Sequence, residues 1–248
     1  QDEKIFGRWD GWKPDGFDAH VVVPETYVSG GGVKVRREEK IEGDNLTALD
    51  SFEPLERKKI VALAAQHYIA QIRGSPIETE TLVHSDISAG NLRRTPEGNL
   101  AILDRGMYLK FNMEDRLFLY SLFTAATPAE KMNTLVDWVW GLPENAGQAG
   151  SLQKQDVVQE ILGRLAANGK TPEESAMDAL VVLQSRQLKI PLKYNLLFKN
   201  LNAFRQLALA ANFNSLKEAI EYRPSARSEA RGKQEEGMDH KVGGPSRR

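Results

Sequence analysis

The sequence has no cysteine and only four histidines in 248 residues. Without thiols there are no disulfides, no thiolate zinc site, no iron–sulfur cluster and no cysteine nucleophile. The histidines are scattered, so metal chemistry has to rest on oxygen ligands, which favours magnesium or manganese over zinc. Charge of one sign is also lacking. The 33 Lys+Arg and 34 Asp+Glu leave a net charge of -1, so there is no electrostatic reason to expect nucleic-acid binding. No apolar run approaches the roughly 20 residues needed to span a bilayer, and no signal-peptide pattern opens the chain. A cytoplasmic protein, or one peripheral to a membrane, is the expectation. Because the first residue is Gln1, removal of upstream sequence is expected too.

What is present is ordinary for a folded protein: 41% hydrophobic and 27% charged residues, in a length that allows one to two domains at roughly 150 residues each. Up to Phe17 the chain is rich in Gly, Trp and Asp and has no period, which reads as loop. Val21-Val22-Val23 is a short apolar run stopped by Pro24. Ser29-Gly30-Gly31-Gly32 signals a turn, with residues 33–41 as the return strand of a hairpin. Arg36, Arg37, Glu38 and Glu39 interrupt the alternation expected of that strand.

Residues 54–72 carry a helical stripe of Ile60, Val61, Ala64, His67, Tyr68 and Ile72, with Ser51 as the expected cap and Gly74-Ser75-Pro76 as the stop. Three strand-like pieces come next at 81–83, 92–95 and 100–103, the last two joined by the turn residues Pro96-Glu97-Gly98-Asn99. After Asp104 only helices are expected. One is capped by Asn112, one opens at Pro128, and after a loop over 141–150 one covers 151–167. Another starts from the capping box at Thr171, and a last, strongly amphipathic one comes after Pro191. From Arg223 the composition predicts a disordered tail.

The chemistry is concentrated in His84-Ser85-Asp86-Ile87-Ser88-Ala89-Gly90-Asn91, then a hairpin, then Ile102-Leu103-Asp104-Arg105-Gly106. The pattern is H-x-D-x-x-x-x-N, hairpin, apolar-D-x-G. A loop after a strand sets Asp86 at its tip, and the hairpin folds Asp104 back beside Asn91. Two carboxylates and an amide oxygen then converge on one small volume. Phosphoryl transfer in protein-kinase-like folds needs that set, one carboxylate facing the nucleophile's proton and the other two groups facing a cation on the nucleotide phosphates.

These motifs resemble the catalytic loop and metal motif of the UbiB/ADCK (AarF) atypical kinases, whose pattern is close to H-x-D-P-H-P-G-N followed by L-D-F-G. Val23-Pro24-Glu25 and Ile41-Glu42-Gly43 are similar to that family's V-P-E-V segment and hinge. The resemblance covers roughly residues 21–222. It implies an α+β protein-kinase-like C-lobe, mostly helical with short β-hairpins and with the N-lobe largely missing. Residues 1–45 would be a remnant of N-lobe and hinge, 46–222 the C-lobe and 223–248 the tail. It implies Asp86 as the catalytic aspartate and His84 as the loop-positioning histidine of the catalytic loop. Asn91 and Asp104 would be ligands of Mg2+ and of the ATP it carries, and the backbone of Glu39, Lys40 and Ile41 would face the adenine.

An ATP- and magnesium-dependent kinase or ATPase supporting isoprenoid-quinone (ubiquinone-type) or lipid metabolism is the implied function. Its partners would be a nucleotide, a lipid or quinone precursor, and a membrane surface touched peripherally. The sequence departs from the family where Ile87-Ser88-Ala89 replaces Pro-His-Pro and Arg105 replaces an aromatic. It has no K-x-G-Q segment and no nucleotide-covering loop. It also has no strand lysine paired with a helical glutamate. Truncation is expected ahead of true loss, and the chain as it stands is expected to be inactive or nearly so.

Two other readings stay open: a pseudokinase serving as a nucleotide- or lipid-binding scaffold, and an aminoglycoside-phosphotransferase-like small-molecule kinase. Arg93 and Arg94 read as surface residues, Arg105 as solvated, and the four tryptophans as packing residues. The stripe over 194–211 is expected to be buried in the fold and not on a membrane, with Lys199 and Arg205 on its solvent side.

Overall fold

Among the described residues the longest helix, α1 (Pro54–Arg73), starts with proline in its first turn and stops at Gly74, whose φ of 57° is left-handed. A Cβ at Gly74 would sit 2.0 Å from Thr81 Cγ2, so only glycine fits this stop. In the computed structural model, residues 7–29, 35–75, 78–104, 106–124, 127–168 and 172–224 are described. From Ile60 to Ile69 every residue of α1 is buried, His67 and Gln66 included. The stripe read from the sequence is therefore one face of a helix enclosed on all sides. Ser51 does not cap α1. It ends a 3-10 turn, Leu46–Ser51, and its hydroxyl donates to the Ala48 carbonyl at 2.7 Å.

The strands are β1 (Val21–Val22), β2 (Thr26–Ser29), β3 (Val35–Glu38), β4 (Asp44–Asn45), β5 (Glu80–His84), β6 (Leu92–Arg94), β7 (Leu100–Ile102) and β8 (Tyr108–Asn112). One sheet has the order β1-β7-β6-β4, with β1 parallel to β7 and the other neighbours antiparallel. β2 pairs with β3 and β5 with β8, each as an antiparallel ribbon. The return strand anticipated over 33–41 is thus β3, and its partner is Thr26–Ser29, while the apolar Val21–Val22 pairs with Leu100 and Ala101 instead. The turn at 30–32 lies outside the described residues. The hairpin at Pro96–Asn99 is as expected, closed by the Thr95 amide donating to the Asn99 carbonyl at 2.9 Å.

The expectation of helices alone after Asp104 is corrected by β8. Its residues alternate, with Leu109 and Phe111 buried and Tyr108, Lys110 and Asn112 exposed. Five residues of period two are too few to stand out beside a helix, and the strand gains its place by pairing with β5. The remaining elements are α2 (Met113–Thr124), α3 (Pro128–Gly141), α4 (Ala146–Ala149), α5 (Lys154–Asn168), α6 (Pro172–Ser185), α7 (Leu192–Ala210) and α8 (Leu216–Glu221).

Asn112 caps α2 as expected, with reciprocal 2.9 Å bonds between its Oδ1 and the Asp115 amide and between Asp115 Oδ2 and its own amide. Asp115 also accepts from Lys193 Nζ at 2.5 Å and from the Tyr194 hydroxyl, so one buried carboxylate ties the start of α2 to the start of α7. Burial, and then Asp115, push the Tyr194 hydroxyl pKa up. The anticipated loop over 141–150 contains a 3-10 turn and α4, and α5 begins at Lys154 and not at 151. α8 was not anticipated. Its signal is Ser215-x-x-Glu218, where the Ser215 hydroxyl accepts from the Glu218 amide at 3.1 Å. Thr171 and the tail beyond 224 lie outside the described residues.

A continuous hydrophobic core runs from Phe17 and Val21 through α1 to Phe213 and Ala219. On α7 the stripe Tyr194, Leu197, Phe198, Leu201, Phe204, Leu207 and Ala208 is buried. Arg205, expected on the solvent side, is buried as well. Trp138 packs on Phe118 and Tyr194, with ring centroids 4.3 and 4.1 Å away. Arg93 and Arg94 are not simple surface residues. Arg93 Nη1 donates to the Ile41 carbonyl at 2.6 Å and its Nε to Asn45 Oδ1 at 3.2 Å, while Arg94 pairs with Glu56 at 2.5 Å. The segment 41–45 is thereby fastened to the hairpin that carries the motifs.

Gly43 is the tight point of that fastening. Its φ is 127°, and a Cβ there would lie 2.0 Å from the Arg94 carbonyl oxygen. Gly43→Val is expected to cost about 2–4 kcal/mol through backbone strain and lost β4–β6 pairing, read as a lowered urea midpoint at unchanged slope.

Candidate active site

Strand β5 delivers His84 to a fully buried position, and its ring organises the loop that leaves the strand. Its Nε2 lies 3.2 Å from the Leu103 carbonyl, and its Nδ1 accepts from the Asp86 amide at 3.2 Å. These two bonds select the neutral ring with the proton on Nε2. Burial lowers its pKa, against the Leu103 carbonyl and the nearby Asp104 and Asp86, which favour the charged form. Behind it, the His84 amide donates to Gln71 Oε1 at 3.0 Å.

The loop then turns through Ala89–Asn91. Asn91 Nδ2 donates to the Asp86 carbonyl at 2.8 Å and lies 3.5 Å from Asp86 Oδ2, while the Asn91 carbonyl accepts from the Leu103 amide at 2.8 Å. Leu103 is thus held on both sides, by Asn91 and by His84, and the next residue is Asp104. Asp104 is exposed and adopts a left-handed φ of 48°, uncommon outside glycine and tolerated by aspartate. The hairpin therefore brings Asp86 and Asp104 near one histidine, with Asn91 bonded to Asp86 and to the Leu103 amide.

Asn91 Oδ1 and the Asp104 carboxylate have no donor or cation among the described residues. An oxygen-only pair of this kind fits a hard cation such as magnesium, which keeps most of its shell for phosphate and water. Among the described residues no cluster of three or more acidic or histidine side chains of metal-binding type occurs. Magnesium bound through one or two protein groups does not need one.

The other anticipated residues stand apart. The Glu39 amide donates to the Glu25 carbonyl at 2.8 Å, Lys40 pairs with Glu42 at 2.6 Å in solvent, and the Ile41 carbonyl is taken by Arg93. Only Ile41 is tied to the motif hairpin, through that bond. Arg105 lies outside the described residues.

Two residues on α7 were missed as parts of the site. Asn200, buried at 1% exposure, brings its Nδ2 to 3.0 Å from the Ser85 carbonyl, 3.2 Å from the His84 carbonyl and 3.0 Å from the Tyr68 hydroxyl. Its neighbour Lys199, 64% exposed, reaches to 3.5 Å from Asp86 Oδ1. An asparagine inside the apolar stripe between Phe198 and Leu201 was the available signal, since buried amides occur where something must be hydrogen-bonded.

With this geometry in hand, comparison with known families gives one finding. Residues 15–135 match the ABC1 atypical kinase-like domain. This stretch is ABC1-like. The match takes in the loop, the hairpin and the D-x-G turn, and it is consistent with the UbiB/ADCK resemblance carried by those motifs. α7, with Asn200 and Lys199, lies outside it. No curated protein matches the chain.

The buried polar groups lead to two expected outcomes. Asn200→Leu strips a donor from two loop carbonyls and a tyrosine hydroxyl; stability is expected to fall by about 1–3 kcal/mol, with faster amide exchange at Ser85 and Asp86. His67 is also buried and neutral, with burial, and then His84, pushing its pKa down to about 3. Between the ordinary histidine value of about 6.5 and that value, the unfolded chain binds more protons than the folded one. Stability is therefore full above pH 6.5 and declines as pH falls toward 3. His67→Gln is expected to flatten that decline in urea titrations at stepped pH.

Proposed function

We propose that this protein is an ATP- and magnesium-dependent atypical phosphotransferase or ATPase of the UbiB/ADCK type. One observation carries the reading: a neutral, buried His84 bonded at once to Leu103 and to the Asp86 amide, so that the two motif aspartates flank one ring. The ABC1-like match over the same residues supports it.

In this reading Asp86 faces the acceptor, a hydroxyl or a water. As the acceptor oxygen forms its bond to the γ-phosphorus and the bond to the ADP oxygen breaks, the acceptor's proton passes to the Asp86 carboxylate. Asn91 Oδ1 and Asp104 would hold the magnesium, which neutralises charge on the phosphates when bound. Lys199 adds a cation beside Asp86 on the open side of the loop, where an incoming anionic group meets it. His84 holds the loop and exchanges no proton, because burial keeps it neutral. Catalysis then rests on positioning and fixed charge. Isoprenoid-quinone precursors and other lipids are the acceptor class to which the family resemblance directs the search, at a membrane surface touched peripherally. No helix among the described residues is long and apolar enough to cross a membrane.

The test is ADP release with magnesium and ATP, alongside nucleotide binding. Asp86→Asn is expected to lower kcat about 100-fold or more with nucleotide binding retained, and Asp104→Ala to weaken magnesium-dependent binding as well as turnover. In a chain extended upstream to include a covering loop and lysine, nucleotide binding with no turnover would overturn the enzyme in favour of a scaffold.

A further inference from the structure

One cleft lies away from the catalytic loop. It measures about 570 Å3 and sits between the N-terminal segment, the C-terminal end of α1 and the end of α8. At 100° per residue, Gln66, Ile69, Ala70 and Arg73 share the face of α1 that lines it, whereas Tyr68 and Gln71, which reach Asn200 and His84, project from the opposite side. The cleft is thus a separate place from the loop.

Its charge is one-sided. Among the described residues, Arg8, Arg73 and Arg223 line it against one carboxylate, Glu78. Glu78 is already taken by Arg8 and by the Ser75 amide. Arg223 is held by its Nη1, which donates to Gln66 Oε1 at 3.1 Å and to the Tyr222 carbonyl at 2.9 Å, so the guanidinium is set in place, and its other nitrogens have no partner among the described residues. The Arg73 guanidinium has no hydrogen bond or ion pair among the described residues. The rim is also built in advance. Arg116 donates to the carbonyls of Arg73 at 2.5 Å, Glu78 at 2.6 Å and Ser75 at 3.1 Å.

The other wall is aromatic and apolar, its rings meeting edge to face. Trp9 and Trp12 meet at 5.9 Å between centroids, both pack on His67 at 5.0 and 5.3 Å, and Ile69 and Ile220 continue the surface. Trp9 Nε1 is buried with no acceptor among the described residues. Packing alone explains Trp9; it does not explain an Arg73 guanidinium with no partner among the described residues and an Arg223 anchored through one nitrogen, both beside a partly exposed ring.

We propose that this cleft is a binding site for an organic phosphate. Its dianionic head lies on Arg73 and Arg223, and a flat apolar body lies against Trp12 and Ile220. Two guanidiniums suit a phosphate dianion, and a cavity of this volume takes a small-molecule ligand. The proposal is independent of the catalytic reading.

Titration of the whole protein with phenyl phosphate, followed by tryptophan fluorescence, tests it. Saturable quenching is expected, at least tenfold weaker in Arg73→Gln and in the Arg73→Gln, Arg223→Gln pair. Trp12→Phe is expected to remove most of the signal. Arg73→Gln breaks no hydrogen bond or ion pair among the described residues, so its melting temperature should match the unmutated protein's and its binding result stands without a folding artefact. Inorganic phosphate is expected to bind at least tenfold more weakly than phenyl phosphate, and Asp104→Ala to leave the titration unchanged. Absence of saturable binding, equal affinity for inorganic phosphate, indifference to Arg73→Gln, or loss of binding in Asp104→Ala would each overturn the site; the last would move the ligand to the catalytic loop.

Discussion

A neutral imidazole shut away from water is the element on which the rest of this architecture depends. His84 can satisfy a carbonyl on one nitrogen and an amide on the other only while it carries a single proton. Burial enforces that state, since the charged ring would lose its hydration. The ring then works as a two-ended clamp. One end fixes the strand that runs into Asp104, and the other fixes the amide of Asp86. A protonated ring would keep the first bond and lose the second, because both nitrogens would be donors.

Around the clamp, polar groups are added where the backbone would otherwise lack partners. Gln71 receives the His84 amide, and Asn200 serves the carbonyls of His84 and Ser85. Each comes from a helix packed against the loop, α1 on one side and α7 on the other. The loop therefore carries function while being hydrogen-bonded much as a core strand is, which fits the demand that reacting groups be held before substrate arrives. Asp115 plays the parallel part at the other end of α7, drawing the cap of α2, Lys193 and Tyr194 together. With both attachments in place, α7 has little freedom to slide. That fixes where Lys199 stands beside Asp86.

The reading from sequence was sound where the determinants are local. The Pro96–Asn99 turn, the stop at Gly74, the Asn112 cap and the Pro128 start all rest on residues within four positions of each other, and all are found. It went astray where a neighbour distant in the chain decides. Ser51 looked like a cap but belongs to a separate turn. Residues 108–112 form a strand because β5 offers them an edge, and Arg93 and Arg94 fold inward because the carbonyl of Ile41 and the carboxylate of Glu56 are there to meet them.

The amino-acid order alone determined the hairpin and, through it, the return of Leu103, the residue before Asp104, to the Asn91 carbonyl, because a two-stranded turn closes over fewer than twenty residues and needs only its own turn chemistry. The tertiary structure decided which side chains steady that loop. Asn200 bonds Ser85 across 115 positions and Tyr68 across 132. Contacts of that span arise from how apolar helix faces settle on one another, and neither periodicity nor spacing along the chain encodes their pairing. The cleft of Arg73, Arg223 and Trp12 has the same origin: three segments far apart in the chain, each ordinary alone, become a basic, aromatic-walled cavity only when α1 is enclosed.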